Sequence, residues 1–99
     1  MANSFNEYTR LWKVDTAAAL SVDASITRAV IAQIVYVPSA VDDDLVFQDG
    51  DNSQDAVVLK AGASDASPIH INFRPQGLRV RNLTCSTIDG GTAYVYLLL

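Results

Sequence analysis

The stretch Ile26–Val37, ITRAVIAQIVYV, closed by Pro38, constrains this chain most. It is rich in β-branched and aromatic residues and has no Gly or Pro inside it, which predicts a strand. Its two alternating faces are Val30, Ala32, Ile34, Tyr36 and Ile31, Gln33, Val35, Val37. Only Gln33 interrupts the apolar character of either. A strand with one face in water alternates apolar with polar, so this one reads as covered on both sides. Extended at ~3.3 Å per residue the segment would span about 40 Å, longer than so small a domain is wide, so a bend near Arg28–Ala29 or projection past the body is expected.

The rest of the chain predicts further strands and no sustained helical period. The N-terminal residues 1–7 are polar apart from Phe5 and read as an arm, and Tyr8–Val14 as a first strand. Asp15 could cap a short turn through Ala17–Ala19, but five residues do not hold a helix unaided; the expectation is a strand pair joined by a small-residue turn. Leu45–Gln48 and Ala56–Lys60 form a hairpin around the turn-forming run from Asp49-Gly50 through Ser53. In Ile69–Arg74 the apolar Ile69, Ile71 and Phe73 oppose His70, Asn72 and Arg74. Pro75-Gln76-Gly77 is a turn, after which Leu78 and Val80 point inward and Arg79 and Arg81 outward. Leu83 breaks that phase, placing a bulge or strand end near Asn82. Asp89-Gly90-Gly91 is a hairpin signal, and Thr92–Leu99 a closing strand apolar on both faces. About seven or eight short strands with turns roughly every ten residues predict an all-β chain: a single-domain antiparallel β-sandwich, jelly-roll-like. Residues 1–13 form the arm and first strand, and 14–99 the sandwich body.

The function classes narrow on composition. With 49% hydrophobic residues in 99, the chain can bury a core and is no disordered tail. The net charge of −4 argues against a general nucleic-acid binder. Cys85 is alone, which removes internal disulfides and thiolate metal clusters. The N-terminus lacks an apolar core of signal-peptide length, and no run approaches the ~20 apolar residues of a membrane helix, so a soluble cytoplasmic product without membrane contact is expected.

Candidate chemistry is sparse. Asp49, Asp51, Ser53 and Asp55 stand at alternate positions, as oxygen ligands do in a calcium loop. Gln54 holds the position where the sharp turn wants Gly, and Lys60 the one where a bidentate Glu belongs, so a solvated turn is the preferred reading and no cofactor is expected. His70 sits among polar neighbours with no recognisable nucleophile, and Cys85 has no activating pattern; the chain reads as a non-enzyme. Trp12, Tyr94 and Tyr96 could form a sugar-stacking platform, but packing in core and interface is the stronger reading.

Charge is segregated along the chain. Asp42 to Asp65 holds seven aspartates against Lys60, whereas Ala66 to Ile88 holds Arg74, Arg79 and Arg81 with no acid. Together with the doubly apolar strands, this favours an assembly protein with unlike edges meeting between subunits. Phe5 and Trp12 are candidates for arm docking, Ile34, Tyr36, Tyr94 and Tyr96 for subunit packing, and Arg74, Arg79 and Arg81 for a polar partner face.

The order IAQIVYVP, an acidic hairpin, PIHINFRPQGLRVRNL and a closing GGTAYVYLLL resembles, in its layout over most of residues 20–99, the small all-β virion proteins of tailed bacteriophages that serve as capsid decoration or cement proteins. The resemblance implies a β-sandwich or jelly roll, often a homotrimer, clamping subunits of the major capsid protein on the capsid surface after synthesis in the host cytoplasm. The alternatives are a head-completion or tail-associated virion protein, or a carbohydrate- or calcium-binding sandwich module.

Overall fold

The structure, a computed structural model, describes residues 3–6, 8–20, 28–49, 54–62 and 67–98. Strand patterning carries through: the described residues form ten strands in two antiparallel sheets and no helix. The strands are β1 (Ser4–Asn6), β2 (Leu11–Val14), β3 (Ala18–Ala19), β4 (Arg28–Val37), β5 (Asp44–Asp49), β6 (Gln54–Lys60), β7 (Ile69–Asn72), β8 (Leu78–Arg81), β9 (Leu83–Ile88) and β10 (Thr92–Leu97). A six-stranded sheet runs β1-β2-β10-β4, with β7 and β8 in series along the far side of β4; a four-stranded sheet runs β3-β9-β5-β6. The radius of gyration is 12.7 Å and the long axis 41 Å. This is a sandwich-like arrangement.

The apolar excess of β4 has a local cause. Tyr96 of β10 opposes Gln33, while the next residue, Leu97, opposes Ile31, so Ala32 is an extra residue in the ladder. A bulge of this kind exchanges the faces of the residues on either side of it. Beyond it Ile34 and Tyr36 point into the core; before it Ile31 does, and all three are fully buried. The irregularity therefore lies at Ala32 rather than at Arg28–Ala29. The Ala32 carbonyl accepts a 2.9 Å hydrogen bond from the Phe73 amide, where the Phe73–Gly77 excursion separates β7 from β8. Ile26 and Thr27 lie outside the described residues.

The core lies between the sheets. Trp12, Val14, Ile31, Ile34, Tyr36, Val80 and Val95 from the six-stranded sheet meet Leu45, Phe47, Val57, Leu59, Leu83 and Cys85 from the other. Each such side chain contributes roughly 1.5–3 kcal/mol of transfer free energy, which is why the alternating pattern fixes the layers. Six links between consecutive described strands carry the chain between sheets, and three of them bear on the sequence reading. Asn82, at φ 47°, ends β8 and starts β9 in the opposite sheet, as the broken phase at Leu83 predicts. β2 and β3 also fall in different sheets, so they do not form a pair.

The third link corrects a prediction. Asp89-Gly90-Gly91 turns the chain, but β9 and β10 belong to opposite sheets, so this is a crossover and not a hairpin. The signal was right about the reversal and silent about pairing, because both a hairpin and an arch need φ > 0. Gly91 sits at φ 80°, and a Cβ there would meet the Val37 carbonyl oxygen and stand 2.8 Å from Pro38 Cα. The Tyr36 hydroxyl donates to the Gly90 carbonyl at 2.7 Å, and Asp89 brackets β5 through Asp89 N to Asp44 O and Asp44 N to Asp89 Oδ2. This corner ties the end of β4 to both sheets.

Candidate functional site

The outer face of the six-stranded sheet is built in rows by the strand register. One row runs Lys13, Tyr94, Val35, His70, and the next Leu11, Tyr96, Gln33, Asn72. Tyr94, Tyr96, Leu11, Gln33 and Val35 are half-buried, which leaves a shallow surface with two tyrosines two residues apart on a central strand. Val37 and Leu98 extend it with apolar area, each about two-fifths exposed. Beside the rows stand the arginines. Arg74 Nη1 donates to Gln33 Oε1 at 3.1 Å, and its amide donates to Asn72 Oδ1 at 2.8 Å. Arg79 is exposed opposite Val30, and the exposed Arg81 pairs in register with Arg28.

The electrostatics of the two sheets are opposite. Strands of the six-stranded sheet carry Lys13, Arg28, Arg79 and Arg81 and no Asp or Glu; Arg10 and Arg74 sit on turns joining its strands. Of the seven Lys and Arg in the chain, Lys60 is the one on the four-stranded sheet, which also bears Asp44, Asp49 and Asp55. Lys60 and Asp44 approach only to 4.0 Å and both are well exposed, so that pair adds little.

The remaining titratable groups serve the fold. Burial, reinforced by Asp43, Asp89 and Asp44, pushes the Tyr36 hydroxyl up to about 12. Burial pushes the Cys85 thiol up to about 11, so it stays protonated, and its Sγ donates to the Thr87 carbonyl at 3.6 Å. The Asp43 carboxyl is held below its ordinary value first by the Ser39 hydroxyl, then by the Ala40 and Ser39 amides, all at 2.9 Å from Oδ2. That closes the β4–β5 loop as a side-chain-bonded turn.

The candidates from sequence divide by this geometry. Tyr94, Tyr96, Arg74, Arg79 and Arg81 share the outer face. Ile34 and Tyr36 are completely buried in the chain's own core, so the role in subunit packing assigned to them is corrected: they pack the two sheets together. Trp12 is also buried, opposite Val95, and lies on the other side of the sheet from Tyr94 and Tyr96; no three-ring platform exists. Phe5 reaches Trp12 with ring centroids 5.1 Å apart, so the arm docks on its own domain as edge strand β1. Asp49 and Asp55 flank the β5–β6 hairpin, where Gln48 donates to Asp55, and Asp51 and Ser53 lie outside the described residues. Among the described residues no three His, Cys, Asp or Glu side chains group as metal ligands. Val35, Gln33, Leu11, Lys13 and His70 join the face unforeseen, since cross-strand register is not written in any one segment. Comparison with protein-family models, curated proteins and solved structures finds no match to this chain.

Proposed function

We propose that the protein is a structural virion component of a tailed bacteriophage, a capsid decoration or cement protein that binds between capsid subunits as a homo-oligomer. The observation that supports docking is the outer face of the six-stranded sheet: half-open tyrosines and valines, flanked by Arg74, Arg79 and Arg81, on strands without an acid. Tyrosine and arginine are the residues that dominate binding energy at protein interfaces. A sheet whose strands carry cations and no acid favours an acidic partner and speeds encounter with it. The setting on a phage head rests on the layout resemblance of residues 20–99.

Light scattering and co-sedimentation with phage heads lacking the protein test this reading. The wild type is expected to self-associate and to saturate the heads. The double substitution Arg79→Glu, Arg81→Glu is expected to lose at least tenfold in head affinity, about 1.4 kcal/mol. A monomer that leaves the heads bare would overturn the proposal.

A further inference from the structure

We propose that the β1–β2 edge of the six-stranded sheet holds a binding site for an acidic oligosaccharide. A shallow cleft of about 620 Å³ lies there, lined by Tyr94, Tyr8, Phe5, Leu11, Lys13 and Asn6. Its volume falls within the range of ligand sites, and its open shape suits a polar, flexible chain more than an apolar compact ligand.

The second observation is the way Tyr8 is displayed. This tyrosine is 97% exposed, an arrangement with no packing return for the fold. The turn that carries it is nevertheless tightly built. Asn6 Oδ1 accepts from the Tyr8 and Thr9 amides at 2.9 and 3.2 Å, the Asn6 carbonyl accepts from the Arg10 amide at 2.8 Å, and Arg10 takes φ 58°. A left-handed non-glycine residue is strain that surrounding bonds must hold. The turn thus holds the Tyr8 backbone in place and leaves its ring open to a ligand.

The chemistry of the lining selects the ligand. Tyrosine rings stack against the C–H face of a pyranose, while Ser4, Asn6 and the Tyr94 hydroxyl offer hydrogen bonds to ring hydroxyls. Lys13 is exposed on the cleft wall, paired in register with Tyr94, and no acid stands on β1, β2 or β10. A sugar carboxylate or sulfate would therefore meet the Lys13 ammonium, with no acid among the described residues that line the cleft. The site shares Leu11, Lys13 and Tyr94 with the outer face but not the arginines beyond β4, and its ligand is argued without the docking reading.

The test is titration of the full chain with hyaluronan and chondroitin sulfate tetrasaccharides as acidic probes and maltotetraose as the neutral one. Calorimetry gives the affinity, and Trp12, the one tryptophan, reports through its contact with Phe5. The acidic probes are expected to bind saturably and about tenfold tighter than the neutral one. Tyr8→Ala, at a fully exposed position, should abolish saturation with no change in melting temperature. Lys13→Ala should reduce the acidic probes to the level of maltotetraose, and Arg79→Glu should change nothing. Absence of saturation at about 10 mM for every probe, equal affinity for acidic and neutral probes, or binding that survives Tyr8→Ala would each overturn the proposal.

Discussion

The two sheets of this sandwich share one core but turn different surfaces to water. On the four-stranded sheet, outward positions of β5 and β6 alternate Asp44, Val46, Gln48 with Asp55, Val58, Lys60, a charged surface carrying one cross-strand valine pair, half-buried Val46 beside exposed Val58. That is the ordinary solvent face of a sandwich. The six-stranded sheet, by contrast, has tyrosine, valine and leucine side by side across β2, β10 and β4, with its charge confined to one sign. Isolated apolar side chains need no explanation, whereas a contiguous apolar face bordered by cations does. The difference teaches where the proposed docking belongs: both sheets turn one face into the shared core, and the six-stranded sheet carries the larger joined apolar area outside.

The first way to break this comparison is to ask whether the sheets truly share a core. Phe47→Ala on the four-stranded sheet should cost about 3–5 kcal/mol and Ile34→Ala on the other about 2–5 kcal/mol, since both side chains are fully buried. Denaturant unfolding followed by circular dichroism and by Trp12 fluorescence should show coincident transitions in both variants. Separate transitions for the two probes would mean that the sheets are independently stable.

The corner where the sheets meet gives a smaller and pH-dependent effect. In the fold Tyr36 keeps its proton to about 12, against an ordinary value of 10.0, and Cys85 to about 11, against 9.0. Folded-state values above the unfolded ones mean that this stability is fully present below about pH 9. It falls as pH rises through each folded value, by roughly 2–3 kcal/mol per group at ~1.4 kcal/mol per unit. Tyr36→Phe should cost about 1 kcal/mol at neutral pH, through loss of the Gly90 hydrogen bond, yet flatten the decline between pH 10 and 12. Thermal melts across that range, with tyrosinate absorbance alongside, check it. An unchanged slope in the variant would remove Tyr36 from the account. Substitutions of exposed arginines sit at the small end, within about 0.5 kcal/mol of stability, because their side chains stand in solvent and not in the core.

Much of this architecture was legible in the chain. The alternation in Ile69–Arg74, the outward Arg79 and Arg81, the turn at Pro75–Gly77 and the break at Asn82 all follow from side-chain period and turn chemistry. The pairing of strands did not, because it depends on which sheet each crossover enters. Asp89-Gly90-Gly91 encodes a reversal for either outcome, and the two-residue β3 is placed by its pairing with Thr84 and Cys85 more than by its own alanines. For the same reason Arg74, Arg79 and Arg81 were legible as outward side chains, while Ile34 and Tyr36, assigned to subunit packing, lie in the chain's own core. A one-residue bulge at Ala32 decides which members of an all-apolar strand face inward, and no local pattern announces it.

The doubly apolar strand β4 thus has two explanations, one for each side: a bulge that feeds the core from both parities, and an outer face that the proposed function assigns to a partner. Hydroxyl-radical footprinting of the protein free and assembled on phage heads tests the second part directly. Tyr94, Tyr96, Val35 and the Arg74–Arg81 region are expected to become protected, while Val46 and Val58 on the four-stranded sheet keep their free reactivity. Protection confined to Val46 and Val58, with the tyrosines as reactive as in the free protein, would contradict the assignment of the six-stranded sheet as the docking surface.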